Sequence, residues 1–262
     1  MKILEIDAGN TRLKWRLLEQ TQQKKETIKS GAALAVEKKA MLPEEFQQQI
    51  HALHVADPGA IEVVRASNVR GATFAKALSG FCEELLSVAV DFALVRQNHA
   101  GLQNSYQLPT ALGVDRWLAM LAAYKSSQQA VCVIDCGSAM TVDLVSANGL
   151  HEGGFIVPGL QLMKLSLGEH TAELGYRPED DFALEPGKST AEAINHGILT
   201  MVLGMLEHVH DKWGADKNWY LCGGDAALLA SFIDWPHQLM PELVMDGLAI
   251  ACGKPGASTD YS

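Results

Sequence analysis

The chain contains no run of about 18 apolar residues, the length that a membrane-spanning helix needs. The longest candidate, residues 85–95, is interrupted by Asp91. The N-terminal segment also lacks the uninterrupted apolar stretch of a secretory signal peptide, because Glu5 and Asp7 follow Met1 closely. Both absences predict a soluble, cytoplasmic protein with no membrane partner.

Basic residues are scarce as well. The 262 residues include 21 Lys and Arg against 31 Asp and Glu, so the formal net charge is −10. A uniformly basic face is not expected at this balance, which argues against a nucleic-acid partner but still allows a local basic pocket for a phosphate. Hydrophobic residues make up 48% of the chain, which is enough to bury a core in one large domain or two modest ones.

Recognisable metal and redox motifs are missing too. The five cysteines are scattered without a C-x-x-C pair, which predicts reduced, buried thiols rather than a zinc site or a disulfide framework. The nine histidines include no H-E-x-x-H motif. Residues 187–190 resemble the end of a P-loop, but Phe182 stands where its first glycine is required. That segment is therefore predicted to be a helix N-terminus capped by Ser189 or Thr190.

One short pattern occurs twice along the chain. Residues 2–7 form an apolar run that ends in Asp7 and leads into a glycine turn and a second strand. Residues 131–135 form a similar run that ends in Asp135, again followed by a glycine turn and a strand. The two aspartates lie 128 residues apart (135 minus 7). We interpret the repeat as an internal duplication of one α/β domain.

The domain boundary is predicted before or within a helix over residues 111–124, since Pro109 interrupts the chain just ahead of it. The chain then divides into an N-terminal domain, a C-terminal domain and a polar tail: residues 1–110, 111–253 and 254–262. Further helices are expected over residues 74–86, 190–209 and 242–251, and further strands over residues 13–19, 61–66, 142–146, 153–159 and 219–222.

The two glycine turns have the features of a phosphate site. A tight glycine turn exposes successive backbone N–H groups that attract an anion. Four side chains of the turns add hydrogen-bond donors: Asn10, Thr11, Ser138 and Thr141. Lys14 can neutralise phosphate charge, and Asp7 and Asp135 can hold a hydrated cation. The turn at residues 223–224 would allow a nucleotide base to approach the backbone. An ordinary hairpin remains the alternative for either turn alone.

A further candidate cluster begins the helix predicted over residues 111–124. Asp115 follows Gly113 and precedes Arg116. An aspartate in the first turn of a helix is favourable through the helix dipole alone. The functional interpretation is that Asp115 acts as a general base, while Arg116 orients it or binds an anion. From the residues alone, both interpretations stay open.

Six short motifs occur in order: D-x-G-N-T at 7–11, G-V-D-R at 113–116, D-x-G-S-x-x-T at 135–141, G-G-x-I-x-P-G at 153–159, H-T-A-x-L at 170–174 and S-T-A-E-A at 189–193. From residue 2 to about residue 250, the chain resembles the type III pantothenate kinase family, and its proteobacterial branch in particular. Ser138 stands where the family usually has threonine, which keeps the hydroxyl, and Gly175 stands where proline is common.

The resemblance implies an α/β fold with duplicated ribonuclease H-like domains, as in actin, Hsp70 and sugar kinases, and a cleft between them. It also implies that ATP phosphorylates the primary hydroxyl of pantothenate, the first step of coenzyme A biosynthesis. Such a phosphoryl transfer depends on positioning and charge neutralisation. The implied cofactors are ATP with Mg²⁺ and a monovalent cation, K⁺ or NH₄⁺, and the implied assembly is a homodimer.

The family pattern assigns ATP binding to Ser138 and to the residues of the first turn: Asp7, Ala8, Gly9, Asn10, Thr11, Arg12, Leu13 and Lys14. It assigns the catalytic base to Asp115 and the monovalent cation to Asp135. It assigns pantothenate binding to Tyr106, Gly113, Val114, Asp115, Arg116 and Thr190. Thr190 is expected to contact pantothenate across a dimer interface carried by the C-terminal domain.

Two alternative functions come from other classes of protein. One is a catalytically weak member of the family that acts as a regulatory accessory factor. The intact Asp7, Asp115 and Asp135 argue against that loss of catalysis. The other is a nucleotide-driven scaffold or chaperone of the actin–Hsp70 type, for which 262 residues leave little room.

Overall fold

The computed structural model describes residues 1–21, 25–31, 33–35, 41–170 and 181–252. In chain order, the strands are β1 (Lys2–Ala8), β2 (Arg12–Gln20), β3 (Lys25–Ser30), β4 (Leu34–Ala35), β5 (Ile61–Asn68), β6 (Val90–Phe92), β7 (Asn98–His99), β8 (Leu102–Gln103), β9 (Val131–Cys136), β10 (Ala139–Val145), β11 (His151–Pro158), β12 (Asn218–Cys222) and β13 (His237–Leu239). The helices are α1 (Glu44–Ala56), α2 (Ala72–Leu86), α3 (Val114–Ser127), α4 (Leu160–His170), α5 (Thr190–Val209), α6 (Ala226–Ala230) and α7 (Leu243–Ala251). Within this part of the chain, no helix has the length and apolar character needed to cross a membrane.

The chain divides into two compact units. Unit 1 contains residues 1–100, 106–122 and those from 243 onward, and unit 2 contains residues 101–105 and 123–242. This division differs from the single boundary predicted after residue 110. The physical reason is close packing of α7 on α3: a Cβ added to Gly247 would overlap the carbonyl group of Leu118. The C-terminal helix therefore completes the unit that the N-terminus begins.

Unit 1 contains a sheet in the order β3-β2-β1-β5-β6, with β4 paired to β2. β1 pairs antiparallel with β2, and β5 and β6 continue the sheet in parallel. Because β1 is covered on both faces, its residues form a nearly continuous apolar run rather than an alternating one. The predicted first hairpin is confirmed, and Asp7 lies opposite Lys14.

Unit 2 contains a sheet in the order β11-β10-β9-β12-β13. β9 pairs antiparallel with β10, and β12 and β13 continue in parallel, so both sheets have the same order and directions. Asp135 is the next-to-last residue of the central strand β9, as Asp7 is of β1, and it lies opposite Thr141. The two sheets bear out the duplication predicted from the repeated pattern.

Each sheet packs its apolar face against helices. In unit 1 the core lies between the sheet and helices α1 and α2, and includes Leu4, Ile6, Phe46, Ile50, Val64, Phe74 and Leu78. In unit 2 the core lies between the sheet and helices α4, α5 and α6, and includes Ile134, Val142, Leu144, Leu199, Leu203, Leu221 and Leu229. The five cysteines are free and buried, as predicted. Burial raises the pKa of the Cys82 thiol to about 12.

The other face of the unit 1 sheet carries a row of alternating charges across four strands, Arg16, Glu5, Arg65 and Asp91, which we call the charge row. Glu5 is 0% exposed, and its Oε2 lies 2.7 Å from Nη2 of Arg16. Nη1 of Arg65 lies 3.4 Å from Oε1 of Glu5. Helix α7 joins the row, because Asp246 accepts a 2.9 Å hydrogen bond from Nη1 of Arg16. These charges dock α7 onto the sheet.

We predict that Glu5→Gln lowers the free energy of unfolding by about 3–5 kcal/mol, because it leaves buried guanidinium groups without their carboxylate. Urea denaturation of the purified protein measures the loss. Glu62→Gln is the control, since the Glu62 side chain is 57% exposed and its partners are the N-terminal ammonium and the backbone N–H of Lys2. We expect the control to have little effect. Equal losses in both variants would contradict the stabilising role of the charge row.

Candidate active site

The first phosphate-type turn joins β1 to β2 in unit 1. Asn10, Thr11 and Arg12 are exposed at the turn, while Asp7 and Lys14 are half-buried beside it. The Ala8 and Leu13 side chains are fully buried in the core. Of the eight residues predicted to bind ATP here, those two can therefore contact a ligand only through their backbone. Their burial anchors the turn and leaves its polar groups accessible.

The chain after β5 runs beside this turn, because β5 is parallel to β1 and Val69 N donates to Ala8 O at 3.2 Å. Asn68 fixes the segment by accepting from Arg70 N at 2.9 Å. The Arg70 guanidinium lies 4.3 Å above the Phe74 ring, and burial lowers its pKa. Arg70 is a candidate that the sequence analysis missed; its signal is a basic residue two positions after a buried strand.

Four of the predicted pantothenate residues lie together in unit 1. Arg116 is 6% exposed, and its Nη1 donates to the Tyr106 hydroxyl at 3.1 Å. Asp115 Oδ1 accepts from the backbone N–H of Arg116 at 2.8 Å. A Cβ added to Gly113 would lie 2.5 Å from that same Oδ1. We call Tyr106, Gly113, Asp115 and Arg116 the Asp115 cluster.

The geometry of the Asp115 cluster serves both interpretations that the sequence left open. The carboxylate of Asp115 accepts a bond in the first turn of α3, which stabilises the helix start. It is also only half-buried, so it can accept a proton from a bound hydroxyl. Val114, the remaining residue of the predicted group, begins α3 and is half-buried.

The second phosphate-type turn belongs to unit 2. Gly137 and Ser138 join β9 to β10, and Ser138 O accepts from Gly159 N at 2.9 Å. Gly223 has a φ of +92°, and a Cβ there would lie 2.5 Å from Asp135 Oδ1. The loops that contain Gly137 and Gly223 therefore approach Asp135 closely, and Gly159 packs against the turn at residues 137–138. The predicted turn at residues 223–224 is one of the two loops near Asp135.

The electrostatics around Asp135 are acidic. Burial raises the pKa of the neighbouring Cys136 thiol, and the carboxylates of Asp135 and Asp225 raise it further. Asp225 is held there by its backbone N–H, which donates to Cys136 O at 3.1 Å. The thiol stays protonated and is no thiolate ligand. Carboxylate and carbonyl oxygens are the ligands that hard cations prefer.

The last predicted site residue, Thr190, is exposed at the start of α5 in unit 2. Ser189 caps this helix by accepting from Glu192 N at 3.2 Å, and Lys188 N donates to Glu192 Oε2 at 2.6 Å. The capped helix start is the structure predicted in place of a P-loop. Most of the neighbouring motif, residues 171–174, lies outside the described residues.

The class of protein follows from the two sheets, each with an aspartate and a glycine turn after its central strand. This is the duplicated ribonuclease H-like fold of actin, Hsp70 and sugar kinases. A conserved Baf family protein from Campylobacter jejuni shares the fold, with a TM-score of 0.55, 22% identity, and coverage of 94% of this chain and 95% of that one. The ethanolamine utilization protein EutJ from Carboxydothermus hydrogenoformans matches with a TM-score of 0.54, 13% identity, and coverage of 96% and 90%.

Sequence comparison identifies the family. A family model described as type III pantothenate kinase matches residues 3–212. The type III pantothenate kinase of Pseudomonas aeruginosa strain LESB58 is 35% identical over 258 residues, which are 95% of this chain and 98% of the relative. That of Azotobacter vinelandii strain DJ is 34% identical over 263 residues, with coverage of 97% and 99%. The chain belongs to the type III pantothenate kinase family, as its motifs predict, and it is a kinase.

We predict that Gly113→Ala lowers kcat by about 10- to 100-fold without unfolding the protein, because the new methyl group displaces the nearby carboxylate of Asp115. Steady-state kinetics and thermal unfolding of the same preparation measure both quantities. The matched control is Gly80→Ala on α2, where an added Cβ meets no atom within 4 Å. An unchanged kcat in Gly113→Ala would show that the position of this carboxylate does not limit turnover.

Proposed function

We propose that this chain catalyses the ATP-dependent phosphorylation of pantothenate to 4'-phosphopantothenate, the first step of coenzyme A biosynthesis. The observation that carries the proposal is the Asp115 cluster. It combines one accessible carboxylate with a buried guanidinium whose orientation is fixed by Tyr106. This is the pair of groups that a substrate with one carboxylate and one reactive hydroxyl requires.

In the proposed reaction, Asp115 accepts the proton of the primary hydroxyl as that oxygen attacks the terminal phosphorus of ATP. The bond from this phosphorus to the bridging oxygen breaks, and ADP leaves with that oxygen. A general base of this kind contributes roughly 10²–10⁴-fold to a rate. Arg116 binds the pantothenate carboxylate, since a guanidinium recognises a carboxylate through two parallel hydrogen bonds. Tyr106 positions Arg116 through the 3.1 Å hydrogen bond. Gly113 leaves the space that the Asp115 carboxylate occupies.

The phosphates of ATP are proposed to bind the first turn, Asp7 to Lys14, and Ser138 of the second turn. The first turn supports this role because its exposed polar residues lie between two buried anchors, Ala8 and Leu13. Lys14, directly opposite Asp7 in the strand register, supplies positive charge. Asp7 fits Mg²⁺, which is usually held by one or two carboxylates together with substrate phosphates. The bound Mg²⁺ would neutralise phosphate charge.

Asp135 is proposed to hold a monovalent cation, K⁺ or NH₄⁺. The support is the acidic surroundings shared with Asp225 and the close backbone approach of Gly223. A carboxylate in acidic surroundings suits a hard cation, which prefers oxygen ligands. Such a cation would offset the like charges gathered at this turn.

A homodimer is also proposed, formed through unit 2. Large apolar side chains of this unit are exposed on the edge strand β11 and on helices α4 and α5: Phe155, Ile156, Leu162, Leu165 and Met201. Ile156 is 60% exposed, and exposed apolar patches of this kind mark interaction surfaces. Thr190 begins α5, so the same surface would bring it to the pantothenate of the partner protomer. The buried free thiols support the predicted cytoplasmic location, where cysteines stay reduced.

We predict that the purified protein forms ADP with pantothenate and that Asp115→Asn lowers kcat by about 10²–10⁴-fold while ATP binding is retained. A coupled ADP assay measures turnover, and calorimetry measures ATP binding. Asp216→Asn is the control, because that side chain is 81% exposed and far from the proposed chemistry in sequence. Near-normal kcat in Asp115→Asn would remove the catalytic assignment. Omitting potassium from the same assay tests the proposed cation.

The dimer proposal predicts activity in a mixture of two inactive chains, Asp115→Asn and Thr190→Arg. If Thr190 serves the partner's site, each heterodimer has one intact site. Random pairing makes about half of the dimers mixed, so roughly a quarter of wild-type activity should return. Mixing Asp115→Asn with Arg116→Ala is the control and should stay inactive, because each protomer of a mixed dimer then carries one lesion in its own Asp115 cluster. An inactive test mixture, with heterodimers verified by mass, would contradict the shared site.

A further inference from the structure

Two buried polar side chains of unit 2 have no place in the proposed handling of ATP or pantothenate. Asp143 on β10 is 1% exposed, and His151 at the start of β11 is 0% exposed. They point away from the apolar core of the unit, which is lined on β10 by Met140, Val142 and Leu144. Burying such groups costs free energy unless hydrogen bonds satisfy them. Asp143 and His151 are therefore expected to form hydrogen bonds with specific partners.

The hydrogen bonds of the pair lead outward to the surface. His151 Nε2 lies 3.0 Å from Asp143 Oδ1, and His151 Nδ1 lies 3.3 Å from the Ser105 hydroxyl. A carboxylate only accepts, so Nε2 carries the hydrogen that it donates to Asp143. Nδ1 is then the acceptor for the Ser105 hydroxyl. We call Asp143, His151 and Ser105 the relay.

Ser105 ends a short segment that is fixed to the same hairpin as the pair. Gln103 N donates to Gly149 O at 2.8 Å, in the turn between β10 and β11. Leu102 and Asn104, on either side of Gln103, are each 1% exposed. The exposed Ser105 side chain provides the final anchor of this segment, and the next residue in the chain is Tyr106.

We propose that Asp143 and His151 are positioning residues for pantothenate binding, acting through Ser105 on the backbone of Tyr106. The inference rests on the proposed function, because it takes Tyr106 and Arg116 as pantothenate residues. The hydrogen bond from the Ser105 hydroxyl to the buried imidazole of His151 fixes the peptide group that precedes Tyr106. The imidazole is in turn held by a carboxylate that fixes its orientation, as a second layer of hydrogen bonds does in many sites. Neither buried side chain contacts the substrate.

The first test removes only the surface end of the relay. Ser105→Ala should raise the KM for pantothenate by about 2- to 12-fold, which corresponds to one hydrogen bond of about 0.5–1.5 kcal/mol. The KM for ATP and the melting temperature should not change, because Ser105 is exposed. Ser231→Ala is the matched control, since it also removes an exposed hydroxyl that donates to a carbonyl of the same unit. That control should leave both KM values unchanged.

The second test separates the two ends of the relay. His151→Asn keeps a polar group near Nδ1 and should retain more of the pantothenate affinity than His151→Gln, whose amide reaches toward Asp143 instead. A double-mutant cycle between Ser105→Ala and Tyr106→Phe, read as the KM for pantothenate, should be non-additive if Ser105 acts through Tyr106. A purely structural relay would lower the melting temperature of the His151 variants and leave the ratio of the two KM values unchanged. That result would overturn the proposal.

Hydrogen exchange of the backbone at residues 102–106 gives a readout that needs no turnover. Exchange in Ser105→Ala should be faster there than in the wild-type protein, with the rest of unit 2 unaffected. If the wild-type protein turns over pantothenate but neither exchange nor KM responds to Ser105→Ala, only the positioning role is wrong. If the wild-type protein does not phosphorylate pantothenate, the proposed function is wrong. The proposal that the relay positions residues for pantothenate binding is then wrong as well.

Discussion

Backbone pairing of one central strand in each sheet fixes most of this structure. β1 and β9 each have an antiparallel partner on one side and a parallel partner on the other, so both edges of the strand are satisfied. Such a strand is buried along most of its length, and its last residues lie at the edge of the sheet, where a polar group becomes accessible. In both units that end carries an aspartate and a glycine turn. The candidate chemistry is therefore placed by the same hydrogen bonds that hold the sheets together.

Much of this arrangement could be predicted from sequence because it depends on local patterns. The apolar runs before Asp7 and Asp135 predicted both hairpins, and Ser189 predicted the start of α5. Helix α1 was not predicted, because only Phe46 and Ile50 of its 13 residues are buried and its surface is rich in glutamine. The family motifs identified the members of the Asp115 cluster, while the bond between Arg116 and Tyr106 depends on tertiary packing. The prediction of a single domain boundary did not include the packing of α7 on unit 1. A proline that interrupts the chain indicates where one domain can end, but it does not indicate where a later helix packs.

The buried polar groups divide into two kinds. The charge row joins neighbouring strands directly, and its members lie opposite one another in the sheet register, which makes it a property of the sheet itself. The relay instead connects a hairpin to a separate segment of chain, since Ser105 and His151 lie 46 residues apart in the sequence. A row within one sheet stabilises a fold, whereas a bond to a separate segment sets where that segment lies. Sequence position alone does not show whether a buried polar residue belongs to the charge row or to the relay. That depends on the face of the sheet on which its side chain lies.

The docking of α7 also has a consequence for how the protein is made. Asp246 contacts Arg16 across 230 residues of chain, so unit 1 stays incomplete on the ribosome until Asp246 has been translated and has emerged. Unit 2, whose residues run almost without interruption from 123 to 242, can fold earlier as the nascent chain emerges. The loop closed by this contact is long, although the entropic cost of closing a loop grows only slowly with its length. Truncation near the C-terminus would thus damage the unit that contains the N-terminus.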